Sequence, residues 1–232
     1  MNSTPSRKTR SAGAIAALTL ATLVPSGAQL AGQLGVLDIT ANGGINPATS
    51  AAWAEGDTYR LVFVTLGDIT GASTDITTYN AFVQGEAASS TAFSKLGNAT
   101  WKVVGSTAAV AARDNTSTNP GVNGTGEPIF LMDGTTTIAL DYTDLWNGIS
   151  VAIGLDQNGD ARFSDRVLTG SNTIGAQADD GRVFGGSTEV PPKVMTGRTD
   201  QTGGSWMVNF NVGLTASRPV WAMSDPLTVV NT

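Results

Sequence analysis

Two acidic groupings carry the residue types that could do chemistry in this chain. Asp156-Gln157-Asn158-Gly159-Asp160 places side-chain oxygens at alternate positions, as the start of a calcium loop does. The pattern then departs from such a loop: the glycine follows Asn158, and the twelfth position is Val167, which supplies no carboxylate. Asp165 could substitute from a neighbouring turn, so Asp156, Asn158, Asp160 and Asp165 form the candidate calcium set. Asn158-Gly159 is also a strong hairpin signal, and a plain turn competes with the metal. The second grouping is Asp179-Asp180-Gly181. Paired carboxylates can serve as general acid and base in glycoside cleavage, but that work needs a separation of about 5–9 Å that adjacent loop residues seldom hold. No catalytic residue is assigned, and a solvated turn is the competing reading. Asn172, Asp179, Asp180 and Trp206 are the ligand-binding candidates.

What is missing narrows the chemistry further. The chain has no cysteine and no histidine. Ser-His-Asp and Cys-His catalysis are excluded. So are zinc sites built on His or Cys, and disulfides cannot hold the fold. A metal would have to be hard and oxygen-bound, meaning calcium or magnesium. The five tryptophans could in principle stack on sugar rings. Trp101, Trp146 and Trp221 read as core, whereas Trp206, beside Gly203-Gly204, reads as exposed.

The N-terminus speaks to location. Arg7, Lys8 and Arg10 precede an apolar run from Ala12 to Val24, and Pro25-Ser26-Gly27-Ala28 supplies a break and small residues. This is the pattern of a Sec-type signal peptide over residues 1–28, which implies a secreted or extracellular protein. The run is shorter than the ~20 apolar residues of a membrane span, and none is expected in the mature chain. Removing those 28 residues and their three cations leaves 204 residues carrying 10 cations against 19 acids. Such a surface repels phosphate backbones, so no nucleic-acid partner is expected.

The elements that must position these residues read as α+β with β dominant. Tyr59 to Thr65 has apolar residues on both faces and predicts a central strand. Asp75 to Ala88 predicts the main helix, capped by Thr74 or Asp75, with Ile76, Tyr79, Phe82 and Val83 on one face. Asp141 to Trp146 predicts a short helix. Further strands are expected at 36–40, 101–104, 128–132, 149–153, 167–169, 206–212, 220–224 and 227–230, with a turn at Asp133-Gly134. Residues 170–205 show little periodicity and predict a long loop, the kind of segment that usually carries function.

The stretches Tyr59-Arg-Leu-Val-Phe-Val-Thr65, Ser73 to Val83, Trp101 to Thr107, Ala112 to Thr116, Pro128 to Gly134, Asp144-Leu-Trp146, Leu168 to Thr173 and Pro219-Val-Trp-Ala-Met-Ser224 together resemble uncharacterised exported bacterial proteins, many with a PEP-CTERM sorting tail. That group looks C-type-lectin-like in fold. The resemblance implies one C-type-lectin-like domain over residues 29–232, with 170–205 as its long loop region. Two departures matter: no Pro-Glu-Pro tail follows Val230, and the Glu-Pro-Asn and Trp-Asn-Asp calcium triplets of sugar-binding lectins are absent. The expectation is a non-catalytic surface or matrix protein that binds a glycan or surface protein through the loop region. A self-assembling filament or layer subunit is the first alternative, and a carboxylate-dependent polysaccharide hydrolase the second.

Overall fold

The computed structural model describes Met1, residues 29–186 and residues 189–231. The signal-peptide reading therefore falls, apart from Met1, outside the described residues. Among those residues no helix is long and apolar enough to cross a membrane.

The chain is an α+β structure dominated by short strands. The strands are β1 (Leu30–Gly32), β2 (Thr58–Val64), β3 (Ile69–Thr70), β4 (Trp101–Val103), β5 (Ile129–Leu131), β6 (Thr137–Ala139), β7 (Arg166–Leu168), β8 (Lys193–Arg198), β9 (Phe210–Gly213), β10 (Ser217–Arg218), β11 (Trp221–Ser224) and β12 (Leu227–Asn231). The main helix is α1 (Ile76–Ala88), followed by the short α2 (Ala112–Asn115), α3 (Pro120–Asn123) and α4 (Tyr142–Asn147).

The apolar run in β2 makes it the centre of the largest sheet. On one edge it pairs antiparallel with β11 and then β12, the register slipping by one residue across Asp225-Pro226. On the other edge β5 joins it in parallel. β4 extends the sheet beyond β11, β1 beyond β12, and β6 beyond β5. Both faces are covered, as the apolar run Leu61-Val62-Phe63-Val64 of β2 requires. Tyr59, Leu61 and Phe63 point into one core with Tyr79 and Val83 of α1. Val62 and Val64 point into a second core with Trp146, Trp206 and Trp221. A separate three-stranded sheet, β7-β8-β9, packs Val194 into the first core and Val167 into the second.

Local chemistry explains the elements that the sequence predicts. The Asp75 carboxylate accepts the Thr77 N–H at 2.9 Å and starts α1. Tyr79, Val83 and Ala87, one helical turn apart, are buried, and Tyr79 stacks on Phe184 with ring centroids 4.1 Å apart. Asp141 caps α4 by accepting the Asp144 N–H at 2.7 Å. At the Asp133-Gly134 turn, the carboxylate accepts the amides of Thr135 and Thr136, at 2.9 and 2.8 Å.

Four expectations are corrected. Residues 36–40 form turns, because the Asp38 carboxylate accepts the Thr40 and Ala41 amides and bends the chain; the N-terminal strand is β1 instead. Residues 149–153 bury Ile149 and Ile153 beside the tryptophans, and their one bridge is Ile149 to Gly203. Trp206 lies in a 3-10 turn, Gly204–Trp206, so the strand expected over 206–212 starts only at Phe210. Finally, the segment 170–205 contains β8, the central strand of the second sheet. Gly197 disguised it: the position is glycine because the Trp206 carbonyl oxygen lies only 1.5 Å from where a Cβ would stand.

Candidate functional site

The chain from Gly170 to Asp180 is tightly held for a loop. Gly170 adopts φ +60° and its N–H, like that of Thr169, donates to the Met195 carbonyl of β8, at 3.1 and 3.0 Å. The Asn172 side-chain oxygen then accepts the amides of Ile174 and Ala176, at 3.2 and 3.0 Å, closing a small turn. Gly175 completes it at φ +72°, where a side chain would strike the Trp146 ring. The Asn172 amide nitrogen donates to Asp179 at 3.0 Å and brings two distant loop positions together.

The result is a cleft of about 200 Å³. Asn172, Asp179 and Asp180 line it together with Ser171 and Thr173, and Met195 and Val208 contribute apolar surface. Asp179 and Asp180 are exposed. Asp180 pairs with Arg182, which also pairs with Glu189, and Lys193 lies 3.4 Å from Glu189. The hydrogen bond from Arg182 holds the Glu189 carboxyl below its ordinary range, and Glu189 in turn raises the Arg182 guanidinium. The neighbouring carboxylates thus have different partners: Asp179 takes an amide and Asp180 a guanidinium. Such a cleft offers hydroxyl-accepting oxygens beside an apolar wall, which suits a polyol or sugar edge.

Three of the four predicted ligand-binding residues therefore meet in one cleft, and the fourth does not. Trp206 is fully buried, which corrects the expectation of an exposed ring. It packs 5.2 Å from Trp221 and 5.8 Å from Trp146, centroid to centroid. The two glycines before it turn the chain inward: Gly203 takes φ +60° and donates to the Ile149 carbonyl at 2.8 Å.

The predicted calcium residues do not gather around a vacant centre. Asp156 is buried, and one carboxylate oxygen accepts the amides of Asn158 and Asp160 at 2.8 and 3.1 Å. The Asn158 side-chain oxygen accepts the Thr91 amide at 2.8 Å and tethers this turn to the segment after α1. Gly159 takes φ +83°, as a hairpin demands. Asp160 is exposed, and Asp165 pairs with Arg162 at 2.8 Å. Among the described residues no group of three or more acidic side chains is placed to hold a metal ion. These oxygens close turns and an ion pair, so the donor set does not fit calcium as it stands.

Sequence reasoning missed Met195, which belongs to strand β8 hidden inside the apparent loop, and Val208, which the sequence places in a strand over 206–212 but which follows the 3-10 turn and lines the cleft. The available signal was Val194-Met195-Thr196, a short β-prone run. No protein-family model matches the chain, and no curated protein matches it.

Proposed function

We propose that the chain is an exported, non-catalytic surface or matrix protein of C-type-lectin-like fold, which binds a glycan or protein partner through the cleft of the 170–180 loop. The observation that carries this reading is the convergence of Asn172, Asp179 and Asp180 on one cleft. Carboxylate and amide oxygens accept from sugar hydroxyls, and the Met195 and Val208 surface accommodates a ring's C–H face. Support for the fold comes from the pairing of β1 with β12, the first and last described strands, at one sheet edge, and from a main helix packed on that sheet. Support for export comes from the N-terminal sequence.

Calcium belongs to this proposal only as a question for experiment. Thermal unfolding in calcium and in chelator answers it, because a bound ion raises stability as RT ln(1 + [L]/Kd). The binding reading is tested on an array of immobilised neutral oligosaccharides with the full chain and with Asp179→Asn/Asp180→Asn. Deleting the loop is no test, since residues 170–205 include β8. Retention of a specific glycan by the parent chain and its loss in the variant supports the reading. Equal signals from both, or none from either, count against it.

A further inference from the structure

A second cleft lies on the β7, β3 and β10 side and shares no lining residue with the first. It holds about 290 Å³ and is bounded by Asp68, Arg162, Ser164, Asp165, Arg166 and Arg218. The volume is just below the roughly 300–1,000 Å³ typical of small-ligand sites. Three guanidiniums face two carboxylates there, a positive excess on a chain whose formal net charge is −6. We propose that this cleft binds an acidic saccharide, one whose carboxylate or sulfate is held by Arg166 and Arg218.

The arginines differ in what they already do. Arg162 is committed: it pairs with Asp165 at 2.8 Å and donates to the Leu66 carbonyl at 2.9 Å. Arg166 and Arg218 have no carboxylate partner among the described residues. Arg166 instead lies over the Phe210 ring, its guanidinium carbon 4.1 Å from the centroid. That contact steadies the guanidinium by cation–π attraction, and arginine held beside a cleft with no carboxylate partner is suited to grip a planar oxyanion. Arg218 is exposed on β10, opposite Ile69 and next in register to Asp68.

The cleft's frame is held in place. Ser164 has φ +68°, unusual for a residue with a side chain. Its hydroxyl donates to Asp200 at 3.1 Å, and Arg198 clamps that same carboxylate at 2.9 and 2.6 Å. This bend sets the directions in which Arg162 and Arg166 leave the chain on either side of it.

The flanking surface selects the ligand class. Phe210, under Arg166, is 52% exposed, and Phe163, next to Arg162 in sequence, is 67% exposed. Flat apolar faces next to cations suit a sugar ring that carries an acid, because the ring presents C–H surface to the aromatic and its oxyanion to the guanidinium. A bare inorganic anion would leave those rings unused. A long phosphate polymer would meet the negative remainder of the surface.

Calorimetric titration of the full chain tests the proposal. The probes are oligogalacturonate for the carboxylate, sulfated oligodextran for the sulfate, methyl-esterified oligogalacturonate as the neutral analogue, and inorganic sulfate and phosphate. One or both acidic oligosaccharides are expected to bind, more weakly as salt rises, and the arm that binds identifies the oxyanion. Arg166→Gln and Arg218→Gln should each weaken binding about tenfold or more, whereas Lys95→Gln and Asp179→Asn leave it unchanged. Insensitivity to Asp179→Asn separates this cleft from the first. Because Arg218 is exposed, R218Q keeps the test valid even where R166Q disturbs Phe210, and the melting curve of each variant checks the fold. Absence of binding to both acidic probes overturns the proposal. So does equal binding of the esterified analogue, an R218Q affinity equal to the parent's, or inorganic anions binding as tightly as the oligosaccharides.

Discussion

Replacing Trp206 distinguishes a buried tryptophan from a ligand-stacking one. The ring is fully buried against Trp146 and Trp221. Truncating such a side chain to alanine costs about 3–5 kcal/mol in transfer and cavity terms. For a chain of this size each kcal/mol moves Tm by roughly 2–4 °C, so Trp206→Ala should melt about 6–20 °C below the parent. Phenylalanine is the informative second substitution. It removes roughly 35–40 Å³, worth about 1 kcal/mol at ~24 cal/mol per Å³. It also removes the indole N–H, which is buried without a partner, and relieving such a group returns about 1–3 kcal/mol. The two terms oppose each other, so Trp206→Phe should melt within a few degrees of the parent. Calorimetry on the full chain with both variants is the assay. A Trp206→Ala protein that melts within about 2 °C of the parent would refute the reasoning and return the ring to the surface.

Gly197→Ala should prevent correct docking of β8 against the 3-10 turn, because its Cβ would overlap the Trp206 carbonyl oxygen; loss of the cooperative melt or of soluble expression checks this. Arg60 is buried and donates to Glu127, Tyr142, and the carbonyls of Thr116 and Ser224. Arg60→Met strands these acceptors and should cost roughly 3–5 kcal/mol in urea unfolding. In acid, Glu189 and Asp200 carry lowered pKa values through Arg182 and Arg198, and Asp38 and Asp75 through hydrogen bonds from Thr40 and Thr77. A depressed folded-state value stabilises above the unfolded one, so Tm should fall as pH drops through and below about 4. In alkali the sign reverses: burial pushes Tyr59, Tyr79 and Tyr142 up to about 12 from 10. Each neutral tyrosine contributes up to about 2–3 kcal/mol that is present below pH 10 and lost toward pH 12, visible as an alkaline melt.

The pattern of what was legible follows from where the information resides. β2, α1 and α4 were readable because their signals are local: the apolar run Leu61-Val62-Phe63-Val64 in β2, and a capping aspartate followed by helical spacing in each helix. β8 was not, because its glycine answers to a residue nine positions away and its partners are β7 and β9. Asn172 and Asp179 could be named as polar loop residues, but their contact depends on a turn that Asn172 itself closes. Trp206 was misjudged for a related reason: glycines beside a tryptophan read as a loose exposed end, whereas here they fold it inward. The arginine cleft was invisible in sequence, since Arg218 reaches Arg162 and Arg166 only through the pairing of β10 with β3 and the packing of β10 beside β7.

The central claim is that the cleft formed by Asn172, Asp179 and Asp180 is a binding site. The most direct test is calorimetric titration of the neutral oligosaccharide retained most strongly on the array into the full chain and into Asn172→Ala/Asp179→Asn/Asp180→Asn. Saturable heat is expected for the parent chain, and affinity weakened by about tenfold or more in the variant, with the fold intact by its melting curve. Identical affinity in the two proteins would contradict the claim.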